Sequence, residues 1–190
     1  MKKTGLIVIL AIIAVVAILA TVIAGVYNGF VSAEEQLKSA QSQVGVQLQR
    51  RADLIPNFVA TVKGYSEYEQ STLTAVTEAR ASVGKAQTVS EQEEAGAQLD
   101  KAISVWVNAV TEAYPDLKAD AQYIALEDEL AGTENRVATA RKDYNAVAES
   151  YNLKIRRFPS NILAGMFGFE KADYFSADDS AFTAPVVTFD

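Results

Sequence analysis

The stretch Leu48–Glu69, "LQRRADLIPNFVATVKGYSEYE", decides where the first helix of this chain turns back and therefore how many helices follow. Leu48, Ile55, Phe58, Val59 and Val62 recur at three- and four-residue steps, which is one apolar helical stripe, and Val44 and Leu37 extend it upstream. Arg51 breaks the pattern. On the heptad grid set by Leu37 and Val44 it occupies the next inward position, between Leu48 and Ile55. Pro56 removes the hydrogen bond to the Ala52 carbonyl and crowds it, so a kink is expected there, eased by the small side chain at 52. Gly64 suits a left-handed helix end, and Ser66 with Glu69 makes an S-x-x-E capping box for a second helix.

Upstream, residues 5–26, "GLIVILAIIAVVAILATVIAGV", carry no charge. At 1.5 Å per residue they make about 33 Å of helix, enough for the hydrocarbon core and longer than a signal-peptide core. Val22–Ala24 can be read as a cleavage site, but the length favours an uncleaved signal-anchor spanning 4–29. With no cysteine there is no lipoprotein route, no disulfide and no thiol chemistry. Lys2 and Lys3 precede the anchor while Glu34 and Glu35 follow it, which points to a cytoplasmic amino terminus, residues 1–3, and a domain on the outer side. Gly25 and Gly29, with Ala20 and Ala24 at the same spacing, offer a close-approach face for homo-oligomerisation through the anchor. Of seventeen basic residues two precede the anchor, and all twenty-four acids follow it, leaving a net charge of −9 outside the membrane. That balance disfavours nucleic acid and anionic lipid as partners for the whole surface and leaves room for local basic patches.

Downstream, Leu73, Val76, Ala79 and Val83 line a second helix, which Gly84 ends. Ser90 with Glu93 reads as the capping box of a third, faced by Leu99, Ile103, Trp106 and Val110 and closed before Pro115. The last helix shows a heptad series, Tyr123, Leu130, Val137, Tyr144, Tyr151, Phe158, beside Leu126, Thr133, Ala140 and Val147; Pro159 stops it. Climbs of about 57 residues and descents of about 58 bring Phe158 back to the membrane at 1.5 Å per residue. The expectation is all-α: a transmembrane helix, then an antiparallel up-and-down four-helix bundle with long, coiled-coil-like helices over 30–158, a membrane-proximal aromatic segment over 159–175, and a flexible tail over 176–190. The tail's "VVTF" could add to a partner's sheet edge.

"QRRADLIPNFVATVKGY" (Gln49–Tyr65), "AYPDLKAD" (Ala113–Asp120), "ENRVATARKDYNAVAESYN" (Glu134–Asn152) and "FPSNILAGMFGF" (Phe158–Phe169) resemble the signature blocks of the LemA family. With the anchor, the resemblance covers residues 4–175. It implies a bacterial cell-envelope protein, single-pass, with a four-helix bundle, and it implies no reaction. Some relatives are linked with membrane-protein quality control and others with internal membrane compartments; neither role attaches to residues here. The chain departs from the family pattern at Tyr68, where relatives often carry histidine, which argues against a role needing an imidazole.

The inward charges are the first candidate site. Arg51 is expected to pair with Glu134, and Asp53 or Arg50 with Asn135, Arg136 or Arg141. This polar network would set helix register, with a partner-binding groove as the alternative. Tyr144–Asn145 and Tyr151–Asn152 repeat at heptad spacing and read as core packing or as an aromatic-lined groove. Arg156, Arg157, Phe158, Ile162, Leu163, Met166, Phe167 and Phe169 make the second candidate; Gly165 and Gly168 weaken any continuous helix there. This segment folds back under the bundle, meets lipid, or meets a protein.

No histidine is present, so a zinc HExxH, a Ser–His arrangement and a di-iron Glu-x-x-His are excluded, and no glycine-rich phosphate loop occurs. The acid clusters Glu91–Glu94 and Glu127–Glu129 fan around their helices and read as solvated faces rather than a cation site. No catalytic, cofactor or metal residue is assigned. The reading is a non-enzymatic, membrane-anchored scaffold or accessory partner for membrane-associated protein complexes; the alternative is a lipid-interacting or membrane-organising protein working through residues 156–169.

Overall fold

The stripe from Val44 to Phe58 is buried as one face of a single helix, α1, running Lys2–Lys63 without interruption. The computed structural model describes residues 2–63 and 70–176. Gly64 with the Ser66–Glu69 capping box, and the "VVTF" tail, lie outside the described residues. α2 spans Gln70–Val83, α3 Val89–Ala113, α4 Ala121–Arg156 and α5 Ser160–Phe167, with a 3₁₀ turn at Pro115–Ala119 between α3 and α4. All regular structure among the described residues is helical.

The chain divides into two compact units: Met1–Ala40 with Ala146–Ala172, and Gln41–Asn145 with Asp173–Asp190. The boundary expected at 29/30, between anchor and bundle, is not where the units part. α1 passes straight through it, because Phe30, Ala33 and Leu37 pack with the end of α4 and with α5 in the first unit. There Phe30, Tyr151, Ile155 and Ala164 form a core, joined by Val26, Leu163 and Phe169. The apolar residues Leu6–Val22 lie on the surface, at mean hydropathy 3.4 over the best window.

In the second unit, Phe58 of α1 stacks edge-on against Trp106 of α3 (centroids 5.1 Å) and Tyr123 of α4 (5.2 Å). Such aromatic pairs contribute about 1 kcal/mol each beyond their buried area. α2 packs on α3 and buries Val76, Ala79 and Val83. Tyr123, Leu130, Val137 and Tyr144 are all buried along α4. Phe158, placed at the end of that series, is instead 81% exposed, because α4 stops at Arg156 and the helical phase is lost.

Two local expectations shift. The capping box of α3 is Thr88 with Glu91, not Ser90 with Glu93: Thr88 Oγ1 accepts from the Glu91 amide, and Glu91 Oε2 accepts from the amides of Thr88 and Gln87. Starting two residues earlier adds a bond from Gln87 and leaves Glu93 for Ser176, whose amide donates to it at 3.0 Å. Likewise, residues 160–167 do form a helix despite Gly165. Gly168, at φ 77°, supplies the left-handed end, and its amide and that of Phe169 both donate to Ala164.

Candidate functional site

Arg51 lies on the inward face of α1, and its side chain is 6% exposed. Nη1 donates to the Leu130 carbonyl at 3.2 Å and Nη2 to Glu134 Oε2 at 3.4 Å, both on α4. Nε lies 2.8 Å from Asp100 Oδ1 on α3, an ionic contact without the N–H alignment of a hydrogen bond. One guanidinium thus ties three helices. Its carboxylate partners stay wet, Asp100 at 46% and Glu134 at 68% exposure. Asp100 was not among the residues singled out from the sequence; its only signal is a carboxylate directly beside the Leu99–Ile103 face of α3.

The second pairing expected around Arg51 does not form. At 100° per residue, Asp53 points about 200° away from Arg51. It accepts from Gln49 Nε2 at 2.9 Å and meets Arg80 of α2 at 3.5 Å. Arg50 is exposed. Arg136 pairs with Glu129 on its own helix, and the carbonyl of Asn135 accepts from Thr139. Arg141 turns toward α3 and the carboxy-terminal segment: its Cζ lies 5.6 Å over the Phe175 ring, and Gly96 leaves the room its Nη2 occupies. Pro56 lies inside α1, which continues to Lys63, with Ala52 fully buried one turn before it.

The two Tyr–Asn pairs hold the end of the described chain. In the first unit, Asn152 Nδ2 donates to the Ala172 carbonyl at 2.9 Å while its Oδ1 accepts the Ala172 amide at 2.8 Å. In the second, Asn145 makes the same two bonds to Phe175, both at 2.9 Å, and Tyr144 donates to the Asp173 carbonyl at 3.0 Å. Each asparagine side chain copies a peptide group and satisfies both polar atoms of one backbone residue. The Phe175 ring packs edge-on to Tyr144 at 5.1 Å. Burial, then Asp173 and Tyr174, raises the Tyr144 phenol; burial, then Glu34, raises that of Tyr151. Both shifts favour the neutral phenol, the form in which the Tyr144 hydroxyl donates to the Asp173 carbonyl.

The aromatic segment is split between two environments. Leu163, Ala164 and Phe169 pack into the first unit's core, and Phe167 meets Tyr27 at 4.9 Å. Phe158, Ile162 and Met166 are exposed, as are Arg156 and Arg157. Lys154 Nζ donates to the Gly29 carbonyl at 2.6 Å, and its side chain lies 3.3 Å from where a Cβ at 29 would sit. Gly29 is thus covered from within the chain, whereas the space beside Gly25 is open. Among the described residues no three side chains of metal-ligating type come together.

A long apolar amino-terminal helix that continues into an all-helical domain defines a membrane-associated helical protein. The chain belongs to the LemA family, whose model matches residues 40–189. It is 29% identical to magnetosome protein MamQ 2 of Paramagnetospirillum magneticum over 95% of this chain and 75% of that protein. It is 26% identical to MamQ of Magnetospirillum gryphiswaldense over 94% of this chain and 74% of that one. Protein LemA of Metamycoplasma hominis is also 26% identical, over 90% of this chain and 78% of its own length.

Proposed function

We propose that this protein is a non-enzymatic, single-pass membrane scaffold whose helical domain is an up-and-down four-helix bundle that holds a protein partner at the membrane, with its amino terminus cytoplasmic and the domain outside. The bundle reading is supported by numbering along the contacts. Residue numbers rise in α1 as they fall in α4 (Arg51 with Glu134, Phe58 with Tyr123), and rise together in α1 and α3 (Arg51 with Asp100, Phe58 with Trp106). The orientation rests on Lys2 and Lys3 before the apolar stretch and Glu34 and Glu35 after it.

The observation that carries the partner reading is a groove of 410 Å³ between α2 and α3, lined by Ala75, Ala79, Ala102 and Val105, with Glu78 and Lys101 also on its walls. Val105 is 53% exposed there. Small side chains let another helix approach closely, and one charge of each sign on the walls favours a segment carrying one basic and one acidic residue beside its apolar anchors. The buried charge of Arg51 is held by two carboxylates and a carbonyl within the chain, which supports a structural role for it.

The test is crosslinking in living cells followed by mass spectrometry, comparing the wild type with Ala102→Trp, which fills the groove. The reading expects recurrent partners whose crosslinks to α2 and α3 disappear in the variant. Recurrent partners that persist unchanged, or none at all, would overturn it.

A further inference from the structure

A second apolar surface belongs to the first unit. α5 has eight residues, and residues 158–169, which contain it, carry no charge. One side of α5 is used: Leu163 and Ala164 pack on Phe30, Tyr151 and Ile155. The other side is equally apolar and bare. Ile162 is 55% and Met166 73% exposed, and Phe158, four residues before Ile162, is 81% exposed. Beyond Ser160 and Asn161 in its first turn, α5 is apolar around its circumference; such a surface is stable in a protein core or in a membrane, and this one has a core on one side only.

Position decides between those surroundings. Phe167 touches Tyr27, Phe169 touches both Tyr27 and Phe30, and Val26 packs in the same cluster. Val26 is the last residue of the apolar stretch Gly5–Val26, before Tyr27 and Asn28, so α5 is level with the end of that stretch. Tyrosine at that height is where a membrane-water boundary places it. The charge changes there as well. Lys154, Arg156, Arg157 and Lys171 flank the segment against Glu170 and Asp173, a local excess of two positive charges in a chain whose net charge is −7. Glu34 and Glu35 on the neighbouring turn of α1 are met by Lys38.

We propose that α5 lies in the headgroup–acyl boundary of the leaflet from which α1 emerges, with Phe158, Ile162 and Met166 in the acyl layer and Arg156 and Arg157 against lipid phosphates. The helix is a second contact with the bilayer, formed where the chain returns to it.

The experiment uses the full-length chain in phosphatidylcholine–phosphatidylglycerol vesicles. The chain has no cysteine, so each introduced thiol is unique. Met166→Cys, Ile162→Cys and, as an exposed reference on α3, Ser104→Cys are labelled with a polarity-sensitive fluorophore, and lipids carrying a nitroxide just below the headgroup serve as quencher. Labels at 166 and 162 are expected to emit blue-shifted light and to be quenched at least threefold more than the label at 104. Quenching equal to that at 104 would overturn the proposal. So would a blue shift without quenching, which would mean that the face is covered by protein, from this chain or a second copy.

Discussion

Arg51 is buried and its partner Asp100 is not: the guanidinium is 6% exposed, and the carboxylate 2.8 Å away is 46% exposed. This asymmetry makes the two halves of the pair unequal under mutation. Arg51→Met leaves two carboxylates that water already reaches, Asp100 and Glu134, and the Leu130 carbonyl still accepts from Thr133. The expected cost is about 1 kcal/mol. Asp100→Asn with Glu134→Gln strands a buried cation and should cost about 3 kcal/mol. Urea unfolding in detergent, followed through the single tryptophan, Trp106, measures both.

Asn145 supplies both hydrogen bonds of the Phe175 backbone. Asn145→Ala leaves that amide and carbonyl without partners and should cost about 1–3 kcal/mol locally. Hydrogen exchange at the Phe175 amide is expected to rise at least tenfold. Asn145→Asp, which keeps only the acceptor, should fall between the two.

Gly96 is a close approach. A Cβ there would sit 2.5 Å from Arg141 Nη2 and 3.2 Å from Leu48 Cδ2. Alanine gains about 1 kcal/mol of helix propensity but must displace the guanidinium from Phe175, so a net loss of about 1 kcal/mol is expected. In an Arg141→Ala background the loss should vanish, and a double-mutant cycle reads that coupling.

The amino terminus of α3 carries a pH dependence. The amides of Thr88 and then Gln87 hold the Glu91 carboxyl below the ordinary glutamate value. Its contribution is therefore complete above the unfolded value and is lost as pH falls through the lowered folded one. Wild type and Glu91→Gln should differ most at neutral pH and converge on acidification, as stability curves taken between about pH 7 and pH 3 would show. Thr88→Ala should cost about 1 kcal/mol at neutral pH.

Much of the helical layout is legible in spacing alone. The steps from Val44 to Phe58 and from Tyr123 to Tyr144 describe the buried faces of α1 and α4, because helical period and burial are one constraint. The same grid turns Arg51 inward. It cannot name Asp100, since helix-to-helix neighbours depend on crossing geometry, and it mistakes Asp53's direction once pairing is judged by nearness in sequence rather than helical phase. Thr88 and Ser90 carry the same cap pattern, and only the full set of bonds separates them. The asparagines looked like seam filler because the extended segment they bind has no periodicity of its own. Phe158 extends the heptad in sequence, but the helix beneath it ends first.

The central claim is that the α2–α3 groove holds a partner at the membrane. The most direct measurement is photo-crosslinking in cells from a light-activated residue at Val105, with one at Ser104 on the adjoining face as reference. The account predicts a discrete adduct from 105, absent from 104 and lost when Ala102→Trp is added. Equal, diffuse labelling from both positions, or no adduct from 105, would contradict it.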